Sequence, residues 1–206
     1  MPQQIIAARS RESRAEHTRE LLQAAYELIP EVGISGLRTR DIAKKANVHL
    51  ATFHYCFQSK NALLAGLYAD ILERFQAAVD RFVSPHEDIE TRLEGHRRLR
   101  RYLLEEDRNL LIAWKAFTGA IWTDPVVADI VRDGYRRMRY SLGGYLIEGA
   151  ETGQVKALSR LKPSVASGII LALFAGSLTQ MWMDPEELPI EEYEEGIRLL
   201  YGHIES

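Results

Sequence analysis

Residues Arg38 to Leu64, RTRDIAKKANVHLATFHYCFQSKNALL, leave room for little besides two short helices and a sharp turn. The spacing predicts a first helix over Thr39–Ala46, with Thr39 as its N-cap and Ile42, Ala43 and Ala46 on one face. Asn47 follows, and asparagine is, after glycine, the residue that best tolerates a left-handed backbone. Val48 then acts as an apolar plug. A second helix is expected from about Leu50 to Cys56, burying Phe53 and Phe57. Helix, tight turn, helix is the layout of a helix-turn-helix.

The polar residues around this core carry the chemistry. Arg38 and Arg40 open the first helix, with Lys44 and Lys45 further along it. The second exposes His49, Thr52, His54 and Tyr55, and Lys60 lies just beyond. Cations, short hydroxyls and a tyrosine suit a phosphate backbone and the base edges of a major groove. A solvated helical hairpin could carry the same residue types, so the flanking residues decide. The run Thr52-Phe53-His54-Tyr55-Cys56-Phe57-Gln58-Ser59-Lys60-Asn61-Ala62-Leu63-Leu64 closely resembles the signature of the tetracycline-repressor (TetR) family of bacterial regulators. Leu37-Arg38-Thr39-Arg40-Asp41-Ile42-Ala43 resembles that family's preceding helix, and the likeness covers about residues 13–65.

The resemblance implies an all-α chain: an N-terminal three-helix helix-turn-helix domain, then a C-terminal helical domain for ligand binding and dimerisation. The DNA-binding residues are then Arg38, Thr39, Arg40, His49, Leu50, Ala51, Thr52, His54, Tyr55 and Lys60. Lys60 and Tyr55 are expected on phosphates, Arg40 and Thr52 nearer the base edges. Asn47 stands where the family usually has glycine, and His49 where it often has a serine cap. His54 and Cys56 also depart from the usual residues. A lost cap at His49 would cost the second helix about 0.5–2 kcal/mol.

Net charge is −3 over 206 residues, which by itself does not mark a nucleic-acid binder. The average hides an asymmetry. Residues 1–60 hold nine Lys/Arg against six Asp/Glu, and residues 61–206 hold the other 17 against 23, so +3 faces −6. A basic head on an acidic body fits DNA binding at one end. The expected domains are therefore 1–60, with an arm over 1–12, and 61–206. One cysteine excludes an internal disulfide, no His/Cys spacing suits zinc, and neither metal nor cofactor is expected. Cys56 reads as a small half-buried residue rather than a thiol sensor, since no second cysteine could resolve its oxidation. The N-terminus lacks the apolar stretch of a signal peptide, so a cytoplasmic location is expected.

Along the chain, Ser13 to Glu16 reads as a capping box opening a helix to about Ile29, with Pro30 cutting or bending its end. A helix from Asn61 to about Val83 links the two domains. Ser84-Pro85-His86-Glu87 starts the next, whose Arg97/Arg98 and Arg100/Arg101 pairs are expected largely to face solvent. An apolar helix over Asp107–Trp122 and a long one from Pro125 to about Thr152, closed by Gly153, follow. Ser164 is expected to cap a helix whose stretch Val165–Met183 carries no charge. That stretch nearly matches a bilayer in length, but its Ser, Thr, Gly and Gln residues favour a helix buried in protein. A final helix, Ile190–Ile204, presents a single apolar seam.

Together these readings point to a ligand-responsive regulator, a repressor released from a palindromic operator by a small apolar, aromatic or cationic effector. The resemblance implies homodimerisation through the last two helices, about Val165–Met183 and Ile190–Ile204, and their apolar surface agrees, with Ile197 and Leu200 on the seam; no membrane is expected. An effector pocket could draw on Tyr102, Leu103, Trp114, Phe117, Trp122, Tyr140, Tyr145 and Phe174. A helical enzyme is the rival reading, but no Glu-x-x-His pair, nucleophile elbow or phosphate loop supports it.

Overall fold

The computed structural model describes residues 2–84, 89–151 and 160–204, and among these it contains helices and no strand. In chain order they are α1 (Pro2–Gly36), α2 (Thr39–Lys45), α3 (Leu50–Cys56), α4 (Lys60–Phe82), α5 (Ile89–Arg101), α6 (Arg108–Ala120), α7 (Pro125–Glu151), α8 (Pro163–Met183) and α9 (Ile190–Ile204). A π-helical turn, Tyr102–Glu106, joins α5 to α6.

Several local expectations change. Residues 2–12 are not an arm but the first turns of α1, so Ser13 lies inside the helix. Pro30 is also taken into α1, and the break comes at Gly33. There φ is +64°, a value that favours glycine because a Cβ would crowd the backbone. α2 starts from Arg38 without a side-chain cap, so Thr39 is helical rather than capping. Lys162 is likewise the N-cap of α8, without a side-chain capping bond, and Pro163 rather than Ser164 opens the helix. Proline suits that place because its missing N–H would have no intrahelical partner anyway. Asp124 caps α7 as a short acceptor should, its Oδ1 taking the N–H groups of Val126 (2.9 Å) and Val127 (3.2 Å). The capping box beginning at Ser84 and the helix end at Gly153 fall on residues outside those described.

The chain forms two compact units. One comprises Met1–Arg74 with Asn109–Arg132; the other comprises Phe75–Arg108 with Asp133–Ser206. This division differs from a boundary at residue 60. Most of α4 and all but the start of α6 belong with the helix-turn-helix, because the core runs on through them. Tyr68 and Phe117 pack ring to ring at 4.9 Å, and Leu63, Leu67, Ile71, Trp114 and Phe117 are all buried.

In the second unit α5 packs on α9. Gly95 of α5 sits so close to α4 that a Cβ there would come within 2.2 Å of the Phe82 carbonyl oxygen. Arg100 departs from the solvated run expected of its neighbours. It is buried, donates from Nε to Ser177 Oγ (3.1 Å), and pairs through Nη1 with Glu194. Its guanidinium also lies over the rings of Phe174 and Tyr193. Burying a charge costs several kcal/mol unless it is paired and hydrogen-bonded, and this arginine is both. His96, one turn earlier, keeps part of its surface accessible, but its Nδ1 is buried without a hydrogen-bond partner. Burial, then the charges of Arg100 and Arg92, push its pKa down to about 4, so the ring is neutral at pH 7.

Candidate nucleic-acid interface

The helix-turn-helix is built from its turn outward. α2 ends in a reciprocal backbone arrangement: Asn47 N–H donates to the Lys44 carbonyl (3.1 Å) and Val48 N–H to the Ala43 carbonyl (3.0 Å). This is a Schellman closure, which requires a left-handed residue after the helix end, and Asn47 supplies it with φ +55°. Val48 then leads directly into α3. His49 is the N-cap of α3 and makes no side-chain capping bond, as its position in place of serine implied. The short helix is held by burial instead. Phe53 is fully buried against Phe57, with ring centroids 5.8 Å apart, and Ile42, Ala43, Leu37, Leu21 and Ala25 close the same core. Fully burying one such side chain contributes about 1.5–3 kcal/mol, enough to offset an absent cap.

With the apolar residues turned inward, the polar ones are presented together. Arg38, Arg40, His49, Ala51, His54 and Tyr55 are exposed, while Thr39, Leu50, Thr52 and Lys60 are half-buried. All ten lie on one continuous stretch of two helices and their flanks. Lys44 is also exposed, whereas Lys45 leans back on Glu27 of α1 at 3.2 Å. Ser59 fixes the start of α4, accepting the Ala62 N–H at its Oγ (3.1 Å), and so places Lys60 beside the end of α3.

Two features were not legible in the sequence. Arg14 of α1 reaches across to α3, its guanidinium 5.4 Å from the Tyr55 ring centre and its Nη2 3.4 Å from the Cys56 carbonyl. The Cys56 thiol in turn donates to the Arg14 carbonyl at 3.8 Å, so Cys56 is a buried tie to α1. Beside it an open cleft of about 400 Å³ is lined by Ser13 and His17 of α1 and by Ala51, Thr52 and Tyr55 of α3. Nothing in a local pattern signals either feature, since the partners lie about 40 residues apart.

The expected effector residues divide between the two units. Trp114 and Phe117 are core residues of the first unit. Tyr102, Leu103 and Phe174 belong to the second, where Leu103 and Phe174 are buried and Tyr102 donates its hydroxyl to Asp107 Oδ2 (3.1 Å). Trp122 and Tyr140 are 85% and 88% exposed, so among the described residues they line no enclosed cavity. The side chain of Tyr145 lies outside those described. The residues of the expected dimer seam differ in exposure. Ile197 is buried within its own chain, Leu199 is 57% exposed, and Leu200 is outside the described side chains. On α8, Val165, Ile169 and Leu173 form an exposed apolar stripe at four-residue spacing. By length and composition alone α8 could cross a membrane, with about a third of its most apolar window buried. Among the described residues no cluster of His, Cys, Asp or Glu could hold a metal.

Comparison with known proteins places the same segment. The family model for bacterial regulatory proteins of the tetR family matches residues 21–67. Over 180 residues, 85% of this chain and 88% of the relative, the sequence is 25% identical to the nicotine-responsive transcriptional repressor HdnoR of Paenarthrobacter nicotinovorans. Over 54 residues it is 41% identical to the class D tetracycline repressor of Escherichia coli, covering 26% of this chain and 25% of that one. The fold is similar to that of a transcriptional regulator from Saccharomonospora viridis in complex with choline. That match has a TM-score of 0.67, is 21% identical, and covers 92% of this chain and 97% of the other.

Proposed function

This chain is a DNA-binding transcriptional regulator of the TetR family, and from that premise we propose that it is a cytoplasmic repressor, released from a palindromic operator by a small effector. The observation that carries the reading is the closed turn at Asn47. It pins two helices whose outward residues are cations, hydroxyls and imidazoles, with their apolar faces in one core. In this reading Arg38, Thr39, Arg40, His49, Leu50, Ala51, Thr52, His54, Tyr55 and Lys60 meet the operator, with α3 in the major groove. Two copies present two such helices about one helical turn of DNA, ~34–36 Å, apart.

The exposed stripe on α8, with Leu199 on α9, supports dimerisation through those two helices. The effector site belongs to the second unit, around Tyr102, Leu103 and Phe174, where ring faces already attract the cations of Arg81 and Arg100. A small apolar, aromatic or cationic molecule fits such surroundings. HdnoR responds to nicotine, and the structural neighbour binds choline, which supports this class without naming the molecule. α4 runs without interruption from one unit into the other, so it is the element able to carry the response.

The test is selection of duplexes from a random pool by the purified protein, then titration of nicotine and choline with and without the selected duplex. Coupling of 1–3 kcal/mol should weaken effector and DNA binding reciprocally, by the same factor of about 5–150. Failure to select any sequence would overturn the regulator reading. Equal effector affinity with and without DNA would overturn the proposed release.

A further inference from the structure

We infer that the cleft between α1 and α3 seats a backbone phosphate of bound DNA, one per protomer, with Ser13 and His17 as ligands outside the helix-turn-helix. The inference rests on the DNA-binding reading above and adds two residues of α1 that lie outside the helix-turn-helix and before residue 21, where the family model's match begins.

Four of the five residues lining the cleft carry a polar group suited to a phosphate oxygen: the hydroxyls of Ser13, Thr52 and Tyr55 and the imidazole of His17. Positive charge stands beside them, because Arg14 holds its guanidinium over the Tyr55 ring that forms one wall. His17 Nδ1 is 2.8 Å from Glu20 Oε2, a bond in which the carboxylate accepts and the ring nitrogen donates. That leaves Nε2 as the ring nitrogen for the cleft. A phosphate there takes the Nε2–H of the imidazolium form. Glu20 thus sits behind the imidazole as its orienting partner, and His17 is the group that meets the anion.

Shape separates this site from an effector pocket. Its lining residues are all exposed or half-buried, whereas small-molecule sites bury most of the ligand. An open cleft flanking the recognition helix suits a group that arrives on a large partner. Its α1 wall is also stiff, since Ser13 and His17 lie one turn apart within a continuous helix rather than on an arm. The clamp would therefore fix the register of α3 on the duplex without reading sequence.

The experiment uses the full-length protein, a duplex selected by the wild type and a random duplex of equal length, over a series of salt concentrations. His17→Ala should weaken both duplexes by the same factor, on the order of tenfold at low salt. It should also lower the slope of log affinity against log salt by about 1.8 for a dimer, from ~0.9 per phosphate neutralised. Ser13→Ala, which removes no charge, should weaken both severalfold and leave the slope unchanged. Neutral methylphosphonate placed along each half-site should weaken the wild type at one position to which His17→Ala is insensitive. An unchanged salt slope in His17→Ala, or a shifted sequence preference in either variant, overturns the inference while leaving the regulator reading in place. Failure of the wild type to select DNA would instead strike the reading on which it rests.

Discussion

α3 and α8 solve opposite problems with the same secondary structure. α3 has seven residues, no side-chain cap, and a buried face reduced to Phe53 and Cys56. Its outward residues are polar and its place is fixed by neighbours. α8 has 21 residues and no charge within its span, yet Val165, Ile169, Leu173, Trp182 and Met183 point outward. An exposed polar and cationic face is matched by a polyanion, and an exposed apolar stripe by another apolar surface. The contrast teaches that burial in the single chain does not measure importance. The shorter helix buries its apolar face within its unit; the longer one leaves an apolar stripe uncovered.

The comparison breaks first at the core that supports α3. Phe117 is fully buried against Tyr68 in the same unit as the helix-turn-helix. Phe117→Ala should therefore destabilise that unit by about 3–5 kcal/mol in urea unfolding, and DNA binding should fall with it. Intact stability would return this residue to an effector-lining role. A smaller effect, on the order of 3 kcal/mol, is expected from His96 in the second unit. Its folded pKa is about 4, below the usual value near 6.5, so between these values the unfolded chain binds a proton that the fold does not. Stability should be fully present above about pH 6.5 and decline as pH falls toward 4. His96→Gln should flatten that decline in denaturant midpoints measured across the range; a parallel decline in wild type and variant would show that other groups control it.

The proposed dimer face gives the third test. Leu173→Glu places a charge in the middle of the α8 stripe while leaving the chain's own core untouched. Sedimentation should show monomers, and affinity for the selected duplex should fall by on the order of 100-fold because two half-sites are no longer held together. A variant that stays dimeric moves the interface off α8. Wild-type protein that sediments only with lipid vesicles would assign the stripe to a membrane instead.

The helix-turn-helix was legible because its information is local. Left-handed tolerance at Asn47, apolar spacing at Ile42, Ala43 and Phe53, and the cations between them all act within one or two turns of chain. α8 and α9 were legible as helices, since apolar periodicity reports secondary structure, but not in which face turns inward. Ile197 reads as a seam residue and is buried in its own chain; Leu199, two residues on, is exposed. Periodicity defines a stripe without naming the surface that covers it.

From the amino-acid order alone came the helical class, the two-helix motif and its basic face, because propensity, turn geometry and charge depend on near neighbours. Tertiary structure decided the rest. It joined Phe117 to Tyr68, placed Arg14 over Tyr55, sank Arg100 beside Glu194 and left Trp122 and Tyr140 in solvent. Each of those outcomes depends on residues about 40 to 94 positions apart or on packing that no local window contains. A buried arginine and a solvated one have the same sequence neighbours, and only the opposing helix makes the difference.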